Sequence, residues 1–303
     1  MTDIWREDLS KKLENKLFLS QTTKKKYILR KEVIRKLFGE TPVSQIKPSK
    51  YQRIMNDYGK TVTRNTLSRL HTSIQECIKT AQADKVFLED FTYFAELFSS
   101  KESQAIEDKY IHSEKDFNTI INYFKQKMDY RRSVVHFVIY MLFKTGMRFG
   151  ELIALTWDDV EFDEKVIKTY RRYNTTICQF VPPKNKTSIR SIPIGEEELE
   201  VLKLLQKEQE VVNTDLGIIN SENFVFQHYG YVQEIPNIGT VNKALKKTLT
   251  ELEIAPIITT KGTRHTYGSY LWHNQIDLGV IAKILGHKDI SMLVEVYGHT
   301  LQE

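Results

Sequence analysis

Cysteine is scarce: Cys77 and Cys178 are the only two in 303 residues, too few for a disulfide framework and too isolated for a metal-thiolate cluster. A reducing compartment, the cytoplasm, is therefore expected. Long apolar runs are missing as well. The longest, Val134 to Phe143, has ten residues interrupted by His136, well short of the roughly 20 needed to cross a bilayer, so no membrane span is expected. The opening MTDIWREDLSKKLENKL carries acids and bases where a secretion signal needs an apolar stretch, so export is not expected either. With 13 glycines and 7 prolines, collagen-like and low-complexity architectures are excluded.

What remains is a chain of 41% hydrophobic and 27% charged residues, able to bury a real core. Single cores rarely grow beyond about 250–300 residues, so two domains are expected. The net charge of +5 is unevenly spread: residues 1–82 hold 18 Lys and Arg against 8 Asp and Glu, and residues 83–303 hold 26 against 31. The front is thus cationic by +10 and the rest anionic by −5, which points the first domain at a polyanion whose condensed counterions it would release. A merely solvated, lysine-rich helical face is the alternative.

Apolar residues Leu13, Leu17, Tyr27, Val33, Ile34 and Leu37 recur at helical spacing, with a break at Ser20–Thr23 that reads as an N-cap. The helix it opens is expected to begin at Lys24-Lys25-Lys26, a seat for phosphate, and to stop at Gly39. A second opening at Gly59–Thr66 precedes a face of Leu67, Leu70, Ile74 and Ile78. The first domain therefore reads as all-helical. Residues 83–110 turn acidic, and the linker is placed in or just after Ser99–Gln104. Helices are expected over Phe117–Met128, Val134–Thr145 and Glu196–Val212 and from Thr263 onward, with strands over Val166–Tyr173, Thr176–Val181 and Arg190–Ile194. The predicted fold is mostly α with a small antiparallel sheet.

Three segments carry candidate chemistry. In Thr145-Gly146-Met147-Arg148-Phe149-Gly150-Glu151, an arginine sits on a tight turn between glycines, before a helix expected to bury Leu152 and Leu155. Alone, Arg148 and Glu151 read more readily as a structural ion pair. In Lys261-Gly262-Thr263-Arg264-His265, two cations at i and i+3 repel unless an anion lies between them, so the segment is either an oxyanion site or a solvated basic turn. In Leu285-Gly286-His287 through Tyr297, Val280, Ile281, Ile284 and Leu285 form a buried face that Gly286 ends, leaving His287 at the helix terminus. Met292, Leu293 and Val296 repeat the pattern and deliver Tyr297.

Taken together, these elements resemble the tyrosine recombinase (phage integrase) family. The order is Arg148, a hairpin Lys184, Lys261 with Arg264, a Leu-Gly-His element at His287, and Tyr297 ten residues later. The stretch Pro183-Lys184-Asn185-Lys186-Thr187-Ser188-Ile189-Arg190-Ser191-Ile192-Pro193-Ile194 is close to the form in integrases of Gram-positive phages and mobile genetic islands. The resemblance is strong over about 110–303. It implies a helical core-type DNA-binding domain over 1–108 and an α+β catalytic domain over 109–303.

The resemblance also implies a function: a site-specific recombinase that cleaves and rejoins DNA through a 3′-phosphotyrosine, integrating or excising a phage or mobile element. The sequence has no cluster at metal-ligand spacing, and neither metal nor cofactor is expected. Arg148 and Arg264 would then neutralise the phosphate with planar forks. Tyr297 is the nucleophile and Lys184 the general acid, with Lys186 close enough to contest that role. His287 would hydrogen-bond the scissile phosphate, and Lys261 stands where the family usually has histidine. Glu151 and His265 are read as supports for Arg148 and Arg264. The implied partners are double-stranded DNA attachment sites bound by a homotetramer, with a host DNA-bending factor or an excisionase as accessories. Type IB topoisomerase-like relaxation and a non-catalytic DNA-binding regulator are the alternatives.

Overall fold

A computed structural model of the chain describes residues 21–102, 105, 107–231, 234–287, 290, 291, 293 and 294. It divides into two compact units, Met1–Gln104 and Ala105–Glu303. The described residues are mostly helical, with two small antiparallel sheets, and none of their helices is long and apolar enough to cross a membrane.

The first unit contains α1 (Gln21–Phe38), α2 (Pro48–Gly59) and α3 (Arg64–Ala83). The chain is already helical at Gln21, ahead of the expected Lys24, so Gln21, Thr22 and Thr23 lie within the helix and not in a break before it. Leu67, Leu70, Ile74 and Ile78 are buried as their spacing requires, against Ile34, Phe38, Tyr51 and Met55. Helix α2 was not anticipated. It places Gly59 at its own buried end instead of at the opening of α3.

The second unit is built on α5 (Val135–Thr145), whose residues Phe137 to Phe143 are all fully buried. A helix apolar on every side has to lie inside its domain. Around it pack α4 (Glu114–Gln126), the short α6 (Phe149–Leu152), α7 (Glu196–Leu216), α8 (Ile238–Glu251) and α9 (Thr260–His273). Helix α10 (Leu278–Leu285) follows. The short α6 ends at Leu152, so Leu155 is buried but lies beyond the helix expected to carry it.

One sheet has the order β1 (Val160–Glu161), β2 (Val166–Thr169), β5 (Arg190–Pro193); the other pairs β3 (Arg172–Asn174) with β4 (Gln179–Val181). The single strand expected over 166–173 is therefore two. Arg171 breaks it, its Nη2 donating to Thr156 Oγ1 and Asp159 Oδ2, each at 3.0 Å. Because β4 pairs with β3 and β5 with β2, residues 182–189 cross between sheets, and Lys184 lies on that crossing and not on a hairpin joining paired strands.

In α10 the Asp277 cap accepts from the N–H groups of Gly279 and Val280 at 2.8 and 3.2 Å. That start turns Ile281, Ala282 and Leu285 inward and leaves Val280 exposed, contrary to expectation.

Candidate active site

The site forms where α10 stops. Gly286 adopts φ +64°, and a Cβ there would lie 2.6 Å from Thr187 O, so both its conformation and its space call for glycine. The reversal leaves the last carbonyls of the helix without intrahelical donors. Three consecutive ones are taken by three different arginines. Arg190 Nε donates to Ile284 O at 2.6 Å, Arg264 Nη2 donates to Leu285 O, and Arg148 Nη2 donates to Gly286 O at 3.4 Å. Cations at a helix C-terminus also complement its dipole. Thr187 Oγ1 donates to Gly286 O as well, at 3.2 Å.

Each arginine has a second anchor. Arg148 follows the left-handed Gly146 that ends α5, and it caps α6. Its Nη1 donates to Glu151 Oε1 at 2.7 Å, and about a third of its side chain (32%) stays exposed. Arg264, on the second turn of α9, is buried and donates from Nη1 to Gly146 O at 2.9 Å. The Glu151 carboxylate is nearly inaccessible. Its burial favours the neutral form, but Arg190 and Arg148 outweigh this and hold it below the usual range.

His287 follows Gly286, its N–H donating to Ala282 O at 2.9 Å. Burial, then the charges of Arg264 and Arg148, push its imidazole down to about 4, and its Nδ1 is buried with no hydrogen-bond partner among the described residues. It is a neutral ring at physiological pH. His265 is likewise pushed down to about 4 by burial, then by Lys261 and Arg264.

Both imidazoles titrate in the folded chain below the 6.5 of an unperturbed histidine, so below that value the unfolded chain binds more protons. Their contribution to stability is complete above pH 6.5 and is lost as the pH falls from there towards about 4. Urea midpoints are expected to drop between about pH 7 and 5, and to drop less in the double variant His265→Gln/His287→Gln. An equal drop in that variant would remove the assignment.

Of the residues expected from sequence, Arg148, Arg264 and His287 come together here. Lys261 stands exposed in the first turn of α9, and Lys184 is exposed on the crossing segment, as is Lys186. Tyr297 lies outside the described residues, as do Met292 and Val296. Sequence reading did not single out Arg190. It stands inside the quoted Pro183–Ile194 motif, but its partner Glu151 is 39 residues away.

A family model described as the phage integrase family matches residues 111–303. The chain is 29% identical over 177 residues to a "Tyrosine recombinase XerC-like" protein of Caldanaerobacter subterraneus subsp. tengcongensis, covering 53% of this chain and 44% of that one. It is 30% identical over 161 residues to the ICEBs1 integrase of Bacillus subtilis, covering 52% and 42%. The match thus spans less than half of each relative's own length. Among solved structures, the Tn1549 transposon integrase in complex with a circular intermediate DNA shares the fold over 97% of this chain and 94% of that one, with TM-score 0.75 and 20% identity. A lambda integrase dimer bound to a COC' core site does so over 96% and 76%, with TM-score 0.66 and 15% identity.

Proposed function

Because the chain belongs to the phage integrase family, we propose that it is a site-specific DNA recombinase, cleaving and rejoining strands through a 3′-phosphotyrosine to integrate or excise a phage or mobile element. The observation that carries this is the meeting of Arg148, Arg264 and His287, from three separate stretches of sequence, at the end of α10.

In this reading Arg148 and Arg264 receive the non-bridging oxygens of the scissile phosphate, their guanidiniums matching that anion's geometry better than ammonium groups would. His287, neutral, donates a hydrogen bond, and Lys261 adds another donor. Tyr297, having given up its phenolic proton to solvent, attacks as the phenolate: its oxygen forms a bond to phosphorus as the bond to the 5′ oxygen breaks, and Lys184 supplies the proton that this 5′ oxygen takes up. Lys186 is the other candidate for that proton. Attack by a second strand's 5′-hydroxyl reverses the chemistry and rejoins the DNA, the phosphodiester energy having been conserved in the covalent bond.

The cationic residues 1–108 bind the duplex as a core-type domain, and 109–303 form the catalytic domain. Lys26, Arg30 and Arg69, which share one concavity of the first unit, supply part of that cationic surface. Four protomers act on two paired attachment sites in the cytoplasm, with a host DNA-bending factor or an excisionase setting direction.

The test is a nicked duplex taken from the DNA bordering the gene, on which the nick prevents religation. The wild-type chain is expected to accumulate a denaturation-resistant protein–DNA adduct through a phosphotyrosine. No adduct, or relaxation of plasmids lacking the site, would overturn the proposal.

A further inference from the structure

We infer that Arg190 is the positioning residue that holds the two halves of this site in register, the Arg148 half and the His287 half. The inference rests on the recombinase reading and adds to it a residue that never needs to touch DNA.

Arg190 opens β5, and only 7% of its side chain is exposed. Its guanidinium is spent on three protein acceptors. Nη2 donates to Glu151 Oε2 at 3.1 Å, Nε to Ile284 O at 2.6 Å and Nη1 to Ser188 O at 3.2 Å. Each acceptor leads to a different part of the site.

Glu151 is the carboxylate that fixes Arg148, through Oε1 to Nη1 at 2.7 Å and through Oε2 to the Arg148 N–H at 3.2 Å. Two guanidiniums therefore share one buried carboxylate, and Arg190 sets where that carboxylate sits. Ile284 lies three residues before His287, so the bond to its carbonyl fixes the height at which α10 ends. Ser188 also meets Arg148, whose Nη1 donates to Ser188 Oγ at 3.3 Å, and it closes the turn directly after Lys184 by donating to Asn185 Oδ1 at 2.5 Å. Packing leaves little slack, since a Cβ on Gly286 would come within 3.1 Å of Arg190 Nη1. A lysine keeps the charge opposite Glu151 but cannot reach three acceptors with one planar fork.

The experiment separates binding from cleavage on the nicked duplex, measuring the dissociation constant and the first-order rate of adduct formation in the pre-bound complex. For Arg190→Gln, affinity is expected to stay within about twofold of wild type while the rate falls about 100-fold, the cost of an ångström-scale misplacement. Arg190→Lys is expected to fall in between. A folded Gln variant that cleaves within about threefold of wild type overturns the inference, as does a loss of rate matched by an equal loss of affinity. Should the Gln variant not fold, the Lys variant decides alone: about tenfold slower supports the role and a wild-type rate removes it. If the wild-type chain itself makes no adduct, the recombinase reading fails, an outcome distinct from a variant that cleaves as well as wild type.

Discussion

Tyr297→Phe is expected to reduce the covalent adduct to nothing detectable, a loss of about 10⁴-fold or more in cleavage rate, with affinity for the duplex unchanged. The substitution removes one oxygen and keeps the ring. A phenol with a reference pKa near 10 is a weak nucleophile at neutral pH unless nearby cations favour its phenolate, and it has no substitute once the hydroxyl is gone. The nicked duplex reads the result directly, by denaturing gel for the adduct and by gel shift for binding. An undiminished adduct, or one mapped by peptide sequencing to another residue, would sink the assignment of the nucleophile.

Arg264→Ala is expected to act on two quantities at once. Its guanidinium is buried and donates to Gly146 O and Leu285 O, so truncation leaves both carbonyls without those donors and costs about 2–4 kcal/mol of stability. Loss of a directional donor to the phosphate is expected to slow cleavage by about 10³-fold on top of this. Arg264→Lys separates the effects: it keeps a charge and much of the volume, so the urea midpoint should largely recover while most of the rate stays lost. The charge of Arg264 also helps depress the His287 and His265 rings, so in the alanine variant both should titrate closer to their ordinary value by NMR. A folded alanine variant cleaving within about tenfold of wild type would contradict the role.

Much of this site could be read from sequence because its main parts are announced locally. Arg148 stands two residues after a left-handed glycine and His287 directly after one, and Arg264 follows Lys261 by about one helical turn. What could not be read depends on partners far along the chain. Arg190 looks like one cation in a polar strand until Glu151 folds against it. Arg171 splits an apparently continuous strand only because Asp159 and Thr156 wait beneath it. Val280 satisfies the apolar spacing of a buried face, but the Asp277 cap fixes the helix's rotation and turns that position outward. Helix α8 did leave a local mark, the Asn237 cap accepting from Thr240 N–H at 2.9 Å ahead of Val241, Leu245 and Leu249, but its polar composition masked it.

The arginine cluster is anchored mainly on peptide oxygens of α10, which belong to the backbone whatever side chains it carries. Exchanging Lys283 for another residue leaves all three acceptors where they are. Adding or deleting one residue just before Ile284 would instead slide every acceptor past its donor and carry His287 around the helix axis by about 100°. For the end of this helix, length is the guarded quantity and, Gly286 apart, side-chain composition is comparatively free.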